Sequence, residues 1–357
     1  MKVYVKFITI SFLKSFMYVF FITLCLVFIL NILNEIEFFK NLNVKSHYPF
    51  YLSLLNTPAL IFEMFPFIFL ISTQIFFINL FYNNQIHVFK YSGLKNSKIL
   101  VILSLVSFFI GVLTIFVFYN FSSNLKNIYL EIKNKYSVDN KYLAVITQNG
   151  LWIKDTLEDN INIVNASKIE KNFLIDVFIT QFNNDFEVLR NIKSEKVDIR
   201  SNIWTAYNAS VYEGNASIEE DLLKINSNFD YQKIQSLFSN LSALSMWELF
   251  ELKKNYKLIG YSTTEIDLQL HKVFSYPFYL TLMTILSAII MFNTKNIKGS
   301  TLKISIGLFL SVIIYYVNNF FGVMGKTEKL SLINSIWVPL IILTLINLKL
   351  VNKINEK

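Results

Sequence analysis

Six apolar runs, each close to the length a helix needs to cross a bilayer, restrict this chain more than any other feature of it. They fall near residues 15–33, 59–82, 99–119, 273–292, 304–321 and 332–350. A hydrocarbon core of ~30 Å takes about 20 apolar residues at ~1.5 Å per residue, so each run reads as a transmembrane helix. Three precede residue 120 and three follow residue 272, leaving one long insert between the third and fourth spans. Composition agrees: 54% of residues are hydrophobic and 16% charged, too apolar for an ordinary soluble domain. With 9 glycines and 5 prolines in 357 residues, long uninterrupted elements are favoured.

The first run follows Lys2, Lys6 and Lys14, as the core of a signal peptide would. Asn34-Glu35-Ile36-Glu37 comes next rather than a small-residue cleavage site, so a retained span is expected. Cys25 is the only cysteine and lies within this run, which leaves no disulfide framework or cysteine metal cluster within one chain.

Lysine placement orients the spans. The N-terminus, the 83–98 loop, the 293–303 loop and the C-terminus hold Lys2, Lys6, Lys14, Lys90, Lys95, Lys98, Lys295, Lys298, Lys303, Lys349, Lys353 and Lys357, against the single acid Glu356. The opposite loops mix signs, with Glu35, Glu37, Lys40 and Lys45 in one and Lys326, Glu328 and Lys329 in the other. The positive-inside rule therefore puts both termini in the cytoplasm and exports the insert.

Residues 121–271 carry 16 basic and 20 acidic side chains, a net of −4, so the excess of +12 belongs to the membrane portion. Nucleic-acid binding by the insert is disfavoured. Its pattern is β-like: apolar runs flank Gln148-Asn149-Gly150, Asn183-Asn184-Asp185 and Gly214-Asn215. A sandwich or jelly-roll-like all-β domain is expected over 121–244. A helical connection follows over 245–271, opened by Ser245 before Glu248 and broken at Gly260. The organisation expected is thus 1–120 for spans one to three, 121–244 for the β domain, 245–271 for the connection and 272–357 for spans four to six.

Catalysis needs polar groups that converge, and none do. His47, His87 and His271 lie far apart, with no partner at metal-ligand spacing. "FFGVMGKT" at 320–327 imitates the end of a phosphate-binding loop, but the motif's first glycine is Phe320 and no strand precedes it. Nucleotide chemistry is expected from a separate subunit, with no cofactor and no catalytic residue here. Glu63, inside "LIFEMFPFIF", is an ionisable group in a span. It reads either as a transport residue or as a group that reaches water or a neighbouring helix.

Between spans two and three, "NNQIHVFKYSGLKNSKIL" (83–100) places Ile86, Phe89, Gly93 and Leu94 at helical spacing beside Lys90, Lys95 and Lys98. Such a helix can lie on the anionic leaflet, serve as a plain loop, or fill a groove in a partner protein.

The order of these features resembles the LptF/LptG family, the permease subunits of the lipopolysaccharide-transporting ABC exporter. The resemblance is carried by "LLNTPALIFEMFPFIFLIST" (54–73) running into the 83–100 stretch, "GLWIKD" (150–155), "MWELFELKKNYKLIGYSTTEIDLQLHKVFSYPF" (246–278) and "YYVNNFFGVMGKTEKLSLINSIWVP" (315–339). The tryptophan-containing segment and the last stretch look more like LptG than LptF. The resemblance implies a sister permease and an LptB-like ATPase dimer that receives a coupling helix over 84–94, through Gln85, Ile86, Phe89, Gly93 and Leu94. Gln85 stands where the family usually has a Glu, and a lysine common near Asn34 is absent. Lipopolysaccharide would enter beside spans one and five, meeting Lys40, Glu37, Glu63, Phe28, Tyr316 and Phe320. It would then pass through the periplasmic insert to LptC- and LptA-like β-jelly-roll proteins. Two alternatives stay open: an exporter of another amphiphile, such as a lipoprotein or peptide, and a membrane-anchored scaffold that transports nothing.

Overall fold

A computed structural model describes residues 2–40, 42, 44–136, 151–157, 160–170, 172–183, 185–214, 216–231, 233–234, 240–258, 262–294 and 299–355. The chain divides into a helical unit (1–132, 242–246 and 264–357) and a second unit (133–241 and 247–263).

In the helical unit, six helices are long and apolar enough to cross a membrane: α1 (Val3–Phe39), α2 (Tyr48–Tyr82), α4 (Asn96–Asn134), α6 (Thr264–Asn293), α7 (Ser300–Lys326) and α8 (Leu332–Asn355). A short helix, α3 (Gln85–Tyr91), joins α2 to α4. Several helices outrun their apolar cores. α2 starts eleven residues before the run at 59, and α4 continues through Asn120–Asn134 as an amphipathic extension. The stretch 320–327 that imitates a phosphate-binding loop is the last two turns and the cap of α7. Its backbone N–H groups point along a helix and form no phosphate cradle.

Polar groups and small residues fix how these helices meet, because lipid gives apolar side chains no reason to associate. Ser287 of α6 donates to the Leu70 carbonyl of α2 at 2.7 Å, and Thr284 of α6 to Ser107 of α4 at 2.9 Å. Gln74 of α2 donates to the Lys303 carbonyl of α7 at 2.9 Å, and Asn347 of α8 to the Leu282 carbonyl at 3.1 Å. Gly111 of α4 lets the backbone of Pro277 in α6 approach so closely that a Cβ there would lie 2.9 Å from the Pro277 Cα. A Cβ at Gly307 of α7 would collide with the Gln74 amide.

Three helices lose regularity at one level. Pro66 has no N–H for the Phe62 carbonyl of α2, and the Tyr276 hydroxyl of α6 donates to that carbonyl instead. Pro277 interrupts α6 one residue later. In α4, residues Thr114–Tyr119 form a π-helical segment.

Among the described residues, the second unit holds one antiparallel sheet of six strands: β1 (Leu151–Thr156), β2 (Ile161–Glu170), β3 (Phe173–Phe182), β4 (Val188–Asp198), β5 (Ile203–Glu213) and β6 (Ala216–Asn226). The chain is thus a helical membrane protein with an all-β insert. Each strand pairs with its neighbours in sequence, giving a simple meander. Ile153, Val164, Val177, Ile179, Ile192, Val197, Trp204 and Val211 alternate inward and are buried. Trp204 donates its indole N–H to the Phe229 carbonyl at 2.7 Å.

The turn at 183–187 closes on the Asn183 side chain, which accepts from the backbone N–H of Asp185 and of Glu187. Gly214, at φ +56°, supplies the left-handed residue of the β5–β6 turn. The expected hairpin about Gln148-Asn149-Gly150 and the break at Gly260 lie outside the described residues. The helical connection is a single helix, α5 (Met246–Leu258), beginning directly after Ser245. The expected second helix is the first two turns of α6.

Candidate functional site

Asn84 at φ +54° turns the chain out of α2 into α3, and Gly93 at φ +76° ends that helix. The Gly93 N–H bonds the Lys90 carbonyl at 3.0 Å and the Leu94 N–H bonds the Phe89 carbonyl at 2.9 Å, a Schellman closure. Only a residue without a Cβ takes this position at no steric cost.

The face of α3 differs from the one expected. Ile86 and Leu94 are buried in the main cluster of the helical unit's own core, and Phe89 packs edge-on against Phe7 of α1 at 5.9 Å. The spacing of Ile86, Phe89 and Leu94 records an apolar face, but that face anchors α3 to its own bundle rather than offering itself to a partner. Periodicity alone cannot separate self-burial from partner burial, since both need the same stripe. What α3 and its approach present outward is Tyr82, Val88 and Tyr91, exposed by 87%, 62% and 89%, together with His87 and Lys90. Gln85 is half-buried at the start of the helix.

The expected lipid-path residues divide among three places. Glu37 and Lys40 are exposed at the C-terminal end of α1. Phe28 is half-buried in the same helix, edge-on to Phe50 of α2 at 5.4 Å. Tyr316 and Phe320, 68% and 60% exposed, belong to an apolar stripe on α7 that also includes Phe309, Val312, Ile313 and Val323. Glu63 stands apart from all of these.

Glu63 lines a partly open cavity of about 370 Å³ formed by residues of α2, α4, α6, α7 and α8, in the half of the unit where α4 and α6 lead by chain to the insert. This vestibule lies at the level where α2, α4 and α6 are irregular. Tyr276, which caps the Phe62 carbonyl freed by Pro66, lines it and stacks on Phe62 with centroids 4.5 Å apart. Tyr119, the last residue of the π-helical segment, lies on the other side of Phe62 at 5.0 Å. Lys126 and Lys272 join Glu63 there, and the Lys126 ammonium donates to the Ser242 hydroxyl at 2.7 Å. Sequence reasoning singled out Glu63 as an ionisable residue in a span but missed both lysines. Lys126 sits beyond the apolar run of α4 and Lys272 at the edge of that of α6, so neither stands out in a hydropathy pattern.

A model of the lipopolysaccharide export system permease family LptF/LptG matches residues 6–353, nearly the whole chain. The chain belongs to the LptF/LptG permease family. A search of curated proteins gave no match. Six apolar helices and membership of LptF/LptG make the chain a multi-pass inner-membrane protein of a lipopolysaccharide export system. Members of the family are permease subunits.

Proposed function

We propose that this LptF/LptG-family chain, in the LptG seat, works with a sister permease to extract lipopolysaccharide from the inner membrane. Transport would be driven by an LptB-like ATPase dimer docked on α3. The observation that carries the reading is the exposed face of α3. A helix held rigidly by Ile86, Phe89 and Leu94 and ended by Gly93 leaves Tyr82, Val88 and Tyr91 uncovered. Aromatic residues on a rigid support are what the centre of a protein interface uses. A rigid α3 would also move with α2 and α4, so force applied there reaches the spans. The lysine bias supports placing α3 and both termini in the cytoplasm and the insert in the periplasm.

Other surfaces fit the same scheme. The stripes on α1 and α7 offer apolar area for acyl chains and for the sister permease, with Lys40 placed to meet a phosphate as a point charge and Glu37 beside it. Among the described residues β6 pairs only with β5, so its outer edge is open to strand addition by an LptC- or LptA-like sheet. Trp152, Lys154 and Asp155 in β1 carry the LptG-like segment. Gln85 keeps a hydrogen-bonding group where the family has a carboxylate, so docking here would proceed without that charge pair.

Affinity purification of the chain from its own cells, with mass spectrometry of retained proteins and lipid, tests the proposal. An ATPase subunit, a second permease chain and lipid A fragments are expected together. Tyr91→Asp should lower ATPase retention about tenfold or more, since a central aromatic contributes ~2 kcal/mol, and Val88→Asp should do the same by burying an unpaired charge in the interface. Full ATPase retention by both variants, or a solitary chain with bulk phospholipid, would overturn it.

A further inference from the structure

The vestibule sets three charges from three helices around one space without closing an ion pair. Glu63 comes from α2, Lys126 from α4 and Lys272 from α6. Glu63 acts electrostatically on both lysines, yet among the described residues it forms no ion pair with either. By contrast, Lys326 and Glu265, on α7 and α6, close theirs at 2.9 Å. Lys272 lies over Gly322 of α7, where a Cβ would come within 3.6 Å of its ammonium. A Cβ at that position would be in ordinary van der Waals contact with the amine. A charge inside a span, as Glu63 is, is costly and marks a site when no neighbour neutralises it.

The surrounding backbone strengthens this reading. Pro66 and its freed carbonyl, Pro277 and the π-helical segment all fall at this level of the unit, and π-bulges occur disproportionately at functional sites. The volume, about 370 Å³, is within the ~300–1,000 Å³ of small-ligand pockets. Lys126 lies eight residues before the end of α4 and Lys272 eight after the start of α6. Both are therefore ~12 Å in from the helix ends that lead by chain to the insert, at ~1.5 Å per residue. They flank the border between apolar and polar sequence in α4 and α6, where a lipid headgroup lies.

We propose that the vestibule binds the zwitterionic phosphoethanolamine headgroup of a bilayer phospholipid. The phosphate sits between Lys126 and Lys272 and the ammonium donates to Glu63. Two cations and one anion, held apart, match a group that carries its own anion and cation a few bonds apart. An anionic lipid such as phosphatidylglycerol offers Glu63 only neutral hydroxyl donors and no cation. A choline headgroup carries no N–H to give it. The ring pair Phe62 and Tyr276 covers the apolar part of the ligand. Of the residues expected to meet lipopolysaccharide, Glu63 lines this space and Glu37, Lys40, Tyr316 and Phe320 do not. The proposed headgroup is that of a resident lipid distinct from the transported one, and the inference does not depend on the export reading.

The full chain, purified with its natural partners, is placed in nanodiscs of defined phosphatidylethanolamine, phosphatidylglycerol and phosphatidylcholine content, and retained lipid is read by native mass spectrometry after extraction. Phosphatidylethanolamine should be retained at least tenfold over either other lipid. Glu63→Gln should abolish its advantage over phosphatidylglycerol. Lys126→Gln and Lys272→Gln should lower retention about tenfold, and Lys272→Arg should restore it, with thermal unfolding checking that each variant is folded. Displacement by water-soluble O-phosphoethanolamine would assign recognition to the headgroup alone, whereas failure to displace would assign it to the intact lipid. Equal retention of phosphatidylethanolamine and phosphatidylglycerol by the unaltered chain, or unchanged retention in both lysine variants, would overturn the proposal. So would displacement of the retained lipid by lipopolysaccharide.

Discussion

Helices α2 and α6 on one side, and α1 and α7 on the other, are all apolar enough to span a membrane, but they use that apolarity in opposite ways. In α2 and α6, 61% and 67% of the most apolar window is buried within the chain; in α1 and α7 the share is 17% each. The inner pair is not the more hydrophobic. Ser72, Thr73, Thr284 and Ser287 lie buried along it, the Phe62 carbonyl freed by Pro66 is met by the Tyr276 hydroxyl, and Pro277 is met by Gly111 of α4. The outer pair presents Leu26, Leu30, Phe309, Tyr316 and Phe320 to its surroundings. In a hydrocarbon solvent, position in a bundle follows from small and polar groups that need partners. α1 and α7 carry fewer such contacts, among them Asn31 and Glu35 in α1 and Gly307 in α7, and the rest of their apolar surface is free to face lipid, cargo or a sister chain.

The largest effect should come from disturbing the inner pair's neighbour. Gly111→Leu forces a side chain into the backbone of Pro277 and should destabilise the helical unit by ~3 kcal/mol or more. Unfolding in mixed detergent would measure it, with Phe320→Ala on α7 expected to change stability by less than ~0.5 kcal/mol. Equal losses in the two variants would dissolve the distinction. Next comes Ile86→Ala, which empties a buried position under α3 and should cost ~2–4 kcal/mol, while Val88→Ala two residues on should be near neutral. The reverse order would mean that α3 stands off its bundle.

Tyr276→Phe is expected to cost about 1–3 kcal/mol, because the Phe62 carbonyl that Pro66 releases loses its donor. Adding Pro66→Ala returns an N–H to that carbonyl, so the double variant should recover at least half of the loss. No recovery would show that the hydroxyl does not serve the carbonyl.

Much of this architecture is visible in the sequence, and the gaps have physical causes. The six spans show because bilayer thickness sets their length. The ends of α2 and α4 do not, since helices propagate into polar sequence once started. The insert's strands show through alternation in stretches such as Leu151–Thr156. The short helix between spans two and three is legible from Ile86, Phe89 and Gly93. Its working face is not, because a stripe looks the same whether it packs on its own chain or on another. Glu63 is legible as a charge out of place, whereas Lys126 and Lys272 are brought to it only by folding, from spans on either side of the insert.

The smallest expected effect belongs to the insert, where electrostatics are exposed and screened. The Arg200 guanidinium hydrogen-bonds Asp198 at 2.5 Å and holds that carboxyl below its usual value of 3.8. A lowered folded-state value means that the pair contributes fully above the unfolded carboxyl's range, and that the contribution fades as pH falls through the folded value. The insert should therefore lose slightly more stability below about pH 4 than an Asp198→Asn variant loses over the same range. Thermal unfolding across pH 2–6 would check this, and parallel curves for the two proteins would refute it.

Export itself is tested most directly by cross-linking. A photoreactive residue in place of Tyr316 on α7 should capture lipopolysaccharide when the chain is reconstituted with its partners in lipopolysaccharide-containing proteoliposomes. Adding ATP should change the yield, and Val88→Asp on α3 should remove that dependence on ATP. Capture of bulk phospholipid alone, or a lipopolysaccharide yield indifferent to ATP in the unaltered complex, would contradict the account.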